Sequence, residues 1–264
     1  MLAGNQPIIV GGCYRSGTSL VRRLLNAHSR INCGPEVKFF RDFYADYFCD
    51  PVKHLRFTTS ARTLLPESEL LQILGQAFIA MQERAAERAD KPRWADKNPE
   101  NVLYLNQWQA LLGNNWALVH VVRNPLDTLA SMKEHPFPHT LPADLEDRIE
   151  VYLRYNEAAL DFEECHSDRY YRVRYEHLVS SPEQALPALM TWLNERFEPQ
   201  QLCFNEAPRQ DGLEDPKIGM TSAIHNNSVG RWKTVLANVE IETILRETTA
   251  SWLRLDQENP TQPG

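Results

Sequence analysis

The N-terminal part of the chain passes from a short apolar run to a stretch with helical periodicity. The run at 7–10 (Pro-Ile-Ile-Val) is β-branched at its centre and is followed by Gly11 and Gly12, which predicts a buried strand that leads into a tight loop. From Thr18 onward, apolar residues recur on one helix face, at Leu20, Val21, Leu24 and Leu25. This segment therefore predicts a strand, a glycine-containing loop and a helix, which together begin a βαβ unit.

The same two patterns continue to the end of the chain. Compact apolar runs predict strands at 117–122 and 170–174, and His120 within the first of them is expected to be a hydrogen-bonded core residue. Amphipathic periodicity predicts helices at 67–89, 126–133, 144–164, after Pro182 and at 239–255. A cluster of prolines predicts a mobile loop at 134–142. Because strands alternate with helices, we expect a single α/β domain over residues 1–264, a three-layer sandwich around a central, mainly parallel sheet.

Composition narrows the class of partner and the chemistry. The chain carries a net charge of −7 at pH 7, which argues against a general nucleic-acid or anionic-membrane binder. The cysteines are odd in number and widely spaced without a C-x-x-C pair, which argues against a disulfide framework or a zinc site; they are Cys13, Cys33, Cys49, Cys165 and Cys203. No apolar run approaches membrane-spanning length, and the short polar start leaves no room for a signal peptide, so we expect a cytoplasmic protein.

The predicted loop between the first strand and the first helix has the composition of an anion site. Backbone N–H groups at a helix N-terminus attract phosphate, and several side chains add donors or contacts, namely Tyr14, Arg15, Ser16, Gly17, Thr18 and Ser19. The spacing follows the nucleoside-triphosphate pattern G-x-x-x-x-G-K-S/T, except that Thr18 stands in the lysine position. The strand at 117–122 is followed by Arg123 instead of a magnesium-binding acid. The loop thus predicts phosphate binding of the P-loop type without the usual lysine and metal.

Several motifs resemble those of sulfotransferases that use 3′-phosphoadenosine 5′-phosphosulfate (PAPS). Residues 10–20 (VGGCYRSGTSL) resemble the family's 5′-phosphosulfate loop, and residues 122–132 (VRNPLDTLASM) resemble its 3′-phosphate motif. Residues 25–29 (LNAHS) and 33–36 (CGPE) are similar to the tyrosylprotein sulfotransferases in particular. Supportive matches follow in the expected order at 175–178 and 228–233. The resemblance implies the P-loop type of α/β fold and transfer of a sulfuryl group.

The resemblance also implies roles for individual residues. Glu36 matches the family's general base, Arg15 the arginine that faces the leaving phosphate, and Lys97 the lysine that stabilises the transferring group. The remaining matches imply nucleotide contacts: Arg123 and Ser131 for the 3′-phosphate, Tyr175 along the nucleotide, and Ser228 and Trp232 in a segment over it. PAPS would be the donor and adenosine 3′,5′-bisphosphate the product. In-line displacement at sulfur needs fixed donors and no metal.

Two other functions fit part of the same pattern. A P-loop kinase or related nucleoside-triphosphate enzyme would share the loop, although Thr18 and Arg123 argue against it. A non-catalytic nucleotide-binding protein would share the fold, although it would not need Glu36, Arg15 and Lys97 together. For a transferase, the acceptor would be a hydroxyl or an amine on a small molecule, a carbohydrate or a peptide. We expect its pocket in loops at 39–66 and 133–147, which contain aromatic and basic residues (Phe39, Phe40, Arg41, Tyr44, Arg56, Phe57, His135, Phe137 and His139).

Overall fold

A computed structural model describes residues 4–44, 56–137, 140–205 and 223–257. Strands from these residues form one sheet in which every pairing is parallel. They are β1 (Ile8–Gly11), β2 (Ile31–Cys33), β3 (Arg93–Lys97), β4 (Ala117–Val122) and β5 (Tyr170–Arg174). The spatial order β2-β3-β1-β4-β5 places β1 at the centre, between β3 and β4.

Helices connect the strands and cover both faces of the sheet. They are α1 (Thr18–Asn26), α2 (Phe39–Tyr44), α3 (Arg56–Ala61), α4 (Glu67–Arg88), α5 (Leu105–Leu112), α6 (Pro125–Glu134), α7 (Leu145–His166), α8 (Tyr175–Ser180), α9 (Pro182–Trp192), α10 (Trp232–Val235) and α11 (Asn238–Asp256). Short 3₁₀ turns lie at Pro99–Leu103, Ser167–Arg169 and Pro199–Cys203. No described helix combines the length and the apolar character that a bilayer crossing requires.

The core is divided into two layers by the sheet. Successive residues of β1 point to opposite faces, so Ile8 and Val10 pack with Leu24 of α1 in one cluster, and Ile9 packs with Trp108 of α5 in the other. All three β1 side chains are fully buried. A parallel sheet buried on both faces requires such continuous apolar strands. The predicted three-layer α/β fold with a parallel central sheet is therefore confirmed.

The local predictions are confirmed for β1, β4, β5 and the long helices, but β3 has no counterpart among them. Its sequence, Arg-Trp-Ala-Asp-Lys, is too polar to indicate a buried strand. The structure accommodates these groups by hydrogen bonding: Arg93 donates to the carbonyl oxygens of Gln6 (2.6 Å) and Leu193 (2.8 Å). Asp96 accepts from Gln82 of α4 at 3.0 Å. Partners from distant segments pair with these polar side chains, so no local pattern could reveal the strand.

His120 is a core residue, as predicted. It is fully buried in β4, and its Nδ1 lies 2.8 Å from the hydroxyl of Tyr170 on β5. Burial, followed by the positive charge of Arg172, lowers the pKa of His120 to about 3. The ring is therefore neutral near pH 7 and serves the packing of the sheet.

The loop between β1 and α1 depends on glycine at two positions. Gly12 has φ +148°, and a Cβ there would lie 2.3 Å from the carbonyl oxygen of Val121. Gly17, the N-cap of α1, has φ +100°, and a Cβ there would lie 2.4 Å from Cδ2 of the buried Tyr175. The loop can approach β4 and α8 this closely only because both residues lack a side chain.

We expect Gly17→Ala to lower the free energy of unfolding by about 2 kcal/mol, since it adds a left-handed backbone strain to a steric contact with Tyr175. The matched control is Gly34→Ala, where a Cβ would meet nothing within 4 Å; it should change stability by less than about 0.5 kcal/mol. Urea unfolding of the three proteins checks this. Equal stability of Gly17→Ala and wild type would contradict the close approach.

Candidate active site

The predicted site residues gather at the carboxyl edge of the sheet. Residues 12–17 follow β1, Lys97 ends β3, and Arg123 directly follows β4. Because β3, β1 and β4 are parallel neighbours, these three positions emerge side by side. This edge is where open α/β sheets bind ligands.

A buried lysine joins the predicted base to the phosphate loop, the name we give to residues 12–19, which include the first two residues of α1. Nζ of Lys97 donates to Oγ of Ser19, the second residue of α1, at 3.0 Å. The same Nζ forms a short ion pair with Oε1 of Glu36. The Lys97 side chain is fully buried and that of Glu36 is 13% exposed, so neither is a solvated surface charge. A buried ammonium of this kind is stable only with such partners.

A second lysine, which the sequence analysis did not single out, completes the pairing of Glu36. Nζ of Lys38 lies 2.5 Å from Oε2 of Glu36 and 3.2 Å from Oε1 of the buried Glu100. The hydroxyl of Tyr14, in the phosphate loop, donates to Oε2 of Glu100 at 3.0 Å. The sequence contains a hint of this pairing, because Lys38 stands two residues after Glu36. In an extended segment, that spacing places both side chains on the same side. Glu100 had no such signal.

The two ammonium groups control the protonation of Glu36. Burial by itself would raise the pKa of this carboxyl, but the charges of Lys97 and Lys38 and their hydrogen bonds outweigh it and lower the pKa to about 2. Glu36 is therefore an anion over the whole range above mildly acidic pH. With both oxygens paired to ammonium groups, it is also a much weaker base than a free carboxylate.

Tyr14 directs its hydroxyl away from the solvent, toward Glu100 and Arg41. It accepts a hydrogen bond from Nη1 of Arg41 at 2.7 Å, while its ring lies 5.7 Å from that of Tyr155. Burial, then the charge of Glu100, raises the pKa of Tyr14 well above its ordinary value. This side chain thus links the phosphate loop to the segment that carries Glu36 and Lys38.

The residues predicted to bind the rest of the nucleotide form a second cluster. Nε of Arg15 donates to Oγ of Ser131 at 3.1 Å, and Arg123 donates to the carbonyl oxygens of Arg15 (2.9 Å) and Ser228 (2.5 Å). The guanidinium of Arg123 also lies over the ring of Tyr175, 4.7 Å from its centroid. The structure therefore brings together residues from four separate segments of the chain, since Arg123 and Ser131 belong to the same motif at 122–132.

Two buried polar atoms at this edge suit an anionic ligand. Oγ of Ser16 and Nε of Arg123 are buried and have no hydrogen-bond partner among the described residues. Buried donors are seldom left unsatisfied in a native protein. Because both are donors at a helix N-terminus, phosphate oxygens are the matching acceptors. Within the described residues, no group of three or more His, Cys, Asp and Glu side chains is arranged to hold a metal ion.

Trp232 is placed differently from the other predicted contacts. It begins α10, is half-buried, and its backbone N–H donates to Oδ1 of Asp127 on α6 at 3.1 Å. Asp127 was not among the predicted site residues, although it lies within the motif at 122–132. Its link to the Trp232 segment spans over a hundred residues of sequence, which explains why local pattern did not show it.

The predicted acceptor loop at 39–66 is wrong for two stretches, which form α2 and α3. Aromatic packing accounts for α2: the rings of Phe39 and Phe78 stack at 4.8 Å, and Phe40 lies edge-on to Trp108 at 4.9 Å. Phe40 therefore belongs to the core and not to an acceptor surface. Two residues named from the sequence, Cys49 and His139, lie outside the described residues.

Comparisons with known proteins point to one family. The sequence model that describes the sulfotransferase family matches residues 7–199 of this chain. A Caenorhabditis briggsae protein, provisionally named a protein-tyrosine sulfotransferase, is 27% identical over 208 residues, which cover 76% of this chain and 70% of that protein. A longer protein of Aquifex aeolicus is 23% identical over 253 residues, which cover 86% of this chain and 30% of the relative.

Solved structures share the fold. The sulfotransferase domain of the Synechococcus PCC 7002 olefin synthase has a TM-score of 0.66 at 18% identity and covers 93% of this chain and 94% of its own. The sulfotransferase domain from the curacin biosynthetic pathway has a TM-score of 0.60 at 19% identity, with 94% and 99% covered. Mouse sulfotransferase SULT7A1, solved in complex with PAP, has a TM-score of 0.52 at 14% identity, with 97% and 87% covered.

The ion pairs of Glu36 predict a pH-dependent contribution to stability. Because the folded pKa of about 2 lies below the ordinary 4.5, the ionised carboxylate stabilises the fold above pH 4.5, and this contribution is lost as the pH falls toward 2. We expect Glu36→Gln to cost about 3 kcal/mol at pH 7 and progressively less below pH 4.5.

Urea unfolding of wild type and Glu36→Gln at pH 7, 5, 4 and 3 measures this difference. Glu69→Gln, at an exposed position of α4, serves as the control and should show a small difference without a trend. A Glu36→Gln difference that stays constant down to pH 3 would mean that the lysines do not hold this carboxylate as described.

Proposed function

The chain belongs to the sulfotransferase family, and from that premise we propose that it moves a sulfuryl group from PAPS to a hydroxyl or amine acceptor and releases adenosine 3′,5′-bisphosphate. The observation that carries the proposal is the buried Lys97, which contacts both Ser19 of the phosphate loop and Glu36. This contact joins a phosphate cradle to a carboxylate at one sheet edge, which is what displacement at a phosphosulfate requires. Bound PAPS would supply the sulfuryl group and a stable leaving group.

In this proposal, the phosphate loop and the Arg123 cluster bind opposite ends of the nucleotide. The loop amides and the hydroxyls of Ser16, Thr18 and Ser19 hold the 5′ end, and the buried Oγ of Ser16 gains a partner there. Arg123 and Ser131 hold the 3′-phosphate, because an arginine with an unpartnered buried Nε is suited to an anion. The remaining proposed contacts are Tyr14, Gly17, Tyr175, Ser228 and Trp232.

Arg15 lies between the two ends. We assign it to the leaving phosphate, as the family motif implies, and its Nε hydrogen bond to Ser131 ties it to the proposed 3′-phosphate group. Its carbonyl oxygen accepts from Arg123. The φ of Arg15 is +69°, an uncommon backbone state for a residue with a side chain. The carbonyl oxygen of Arg15 thus binds Arg123, while its guanidinium remains directed to the proposed anion site.

Glu36 is the proposed general base, and its ion pairs suggest how its basicity is controlled. With both lysines in place, the pKa of about 2 makes proton acceptance from an acceptor hydroxyl unfavourable. Lys97 also contacts Ser19, so an anion held by the loop would attract this ammonium group and weaken its pairing with Glu36. Withdrawal of one cation raises the pKa of Glu36, which makes the base competent only while the donor site is filled.

The acceptor is proposed as a class. Glu36 is able to take a proton from an alcohol, a phenol or a protonated amine once its pKa has risen. The provisional name of the Caenorhabditis briggsae relative suggests a peptide tyrosine, while small molecules and carbohydrates share the same reacting group. All of these acceptors would use the same donor-binding and base residues, so those residues do not distinguish one acceptor from another.

The 3′-phosphate assignment predicts a ligand-dependent effect of Arg123→Ala. We expect this substitution to weaken adenosine 3′,5′-bisphosphate binding about 10- to 100-fold and to change adenosine 5′-monophosphate binding little, because only the first ligand carries the phosphate that Arg123 contacts. Isothermal titration calorimetry with both nucleotides measures the difference. The control is Arg246→Ala, an exposed arginine of α11 that pairs with its neighbour Glu247.

Equal weakening of both nucleotides would place Arg123 elsewhere along the ligand. Tight binding of ATP with Mg²⁺, together with no response to the bisphosphate, would overturn the donor assignment and favour a nucleoside-triphosphate enzyme.

The base assignment predicts that Glu36→Gln lowers turnover by about 100-fold or more while bisphosphate binding is largely retained. Turnover is followed with sulfur-labelled PAPS and a panel that contains a phenol, a sugar, a tyrosine peptide and an extract of the source cells. Glu69→Gln is the matched control. Label transfer by Glu36→Gln at the wild-type rate would refute the role of Glu36, and label in one acceptor class would identify the substrate.

A further inference from the structure

The segment that carries Ser228 and Trp232 is fixed to the body of the protein at defined points. We call residues 226–232 the strap. Within it, the N–H of Val229 donates to the carbonyl oxygen of Asn226 at 2.8 Å, and Gly230 has φ +73°. The left-handed residue turns the strap so that the N–H groups of residues 230 and 232 face the same side. A pair of amides arranged in this way forms a concave anion site.

Asp127 occupies that anion site. Its Oδ2 accepts from the N–H of Gly230 at 2.7 Å, and its Oδ1 accepts from the N–H of Trp232 at 3.1 Å. The side chain is buried, so both bonds form away from bulk water. Hydrogen bonds from amides to an ionised carboxylate are about twice as strong as those between neutral groups.

The position of Asp127 on α6 indicates that the contact with the strap is its main task. An acid at the third position of a helix can reach back to the N-cap N–H, but here that N–H, of Asn124, donates to Oε1 of Glu176 at 2.9 Å. The carboxylate of Asp127 instead reaches across to the strap. The positive end of α6 further stabilises its negative charge.

The same stretch of chain organises the proposed 3′-phosphate group. Arg123 precedes α6 and donates to the carbonyl oxygen of Ser228 in the strap, and Ser131 lies on α6 one turn beyond Asp127. The strap and the proposed phosphate ligands are therefore positioned by one element. A shift of the strap relative to α6 would displace Ser228 from Arg123.

We propose that Asp127 is a positioning residue for the donor nucleotide, which sets Ser228 and Trp232 over the site by holding the amides of Gly230 and Trp232. This inference rests on the proposed function, since it assumes that a nucleotide lies between α6 and the strap. Both carboxylate oxygens accept a hydrogen bond, so an amide side chain of the same shape offers only one acceptor and opposes one N–H with its own donor. The strap would then have to be ordered at the expense of binding.

The test is calorimetric binding of adenosine 3′,5′-bisphosphate to the full chain. We expect Asp127→Asn to weaken binding about tenfold. The matched control is Lys133→Gln on the same helix, which loses the bonds of Nζ to Glu240 and to the carbonyl oxygen of Val235, outside the strap. It should bind like wild type.

Two further variants separate positioning from general structural damage. Gly230→Ala adds backbone strain to the strap at a left-handed residue, while its new Cβ meets nothing within 4 Å. This substitution should also weaken binding. Trp232→Ala should lose much of its effect in the Asp127→Asn background, because both substitutions act through the same segment. A general structural defect would give additive losses.

The outcomes distinguish the two hypotheses. Absence of bisphosphate binding by wild type would defeat the proposed donor itself. Wild-type affinity in both Asp127→Asn and Gly230→Ala, with wild type binding normally, would defeat the positioning role and leave the donor assignment intact. Strictly additive losses in the double variant would equally reject a shared action through the strap.

Discussion

The ammonium group of Lys97, buried at the carboxyl end of β3, is the charge around which the site is arranged. It contacts Oγ of Ser19 at 3.0 Å and pairs with Glu36, whose second oxygen pairs with Lys38. A buried ammonium costs several kcal/mol unless partners compensate it. The phosphate loop, the segment that carries Glu36 and β3 must therefore keep their relative positions, because displacement of any one would leave this charge uncompensated.

The strand that presents Lys97 is itself held by polar contacts. Asp96 is buried, and Oδ2 accepts from Asn98 (2.8 Å) and Asn101 (2.9 Å), while Asn101 also donates to the carbonyl oxygen of Val10 on β1 (3.0 Å). Burial raises the pKa of Asp96 to about 6 in spite of the amide hydrogen bonds that favour its anion. A network this buried tolerates few alternative arrangements, so it fixes the direction in which Lys97 leaves the sheet.

These contacts also explain how far sequence reasoning could reach. The fold, the loop after β1 and the position of Arg123 follow from apolar runs, glycines and spacing, all of which are local signals. Strand β3 and the roles of Glu100 and Asp127 depend on partners far along the chain, and their polar character mimics that of surface residues. Resemblance singled out Lys97 and Glu36 as residues of interest, but their mutual ion pair was visible only in three dimensions.

The position of Lys97 also bears on the threonine in the phosphate loop. A loop lysine would point along α1 toward a triphosphate, whereas Lys97 reaches Ser19 from the neighbouring strand. Unlike a loop lysine, it is shared with a carboxylate that is a candidate base. Because the same ammonium cannot fully neutralise Glu36 and stabilise a transferring group at once, the proposed function would couple occupation of the loop to activation of the base. Thr18 is consistent with this arrangement, because a second lysine in the loop would satisfy the anion and leave Lys97 on Glu36.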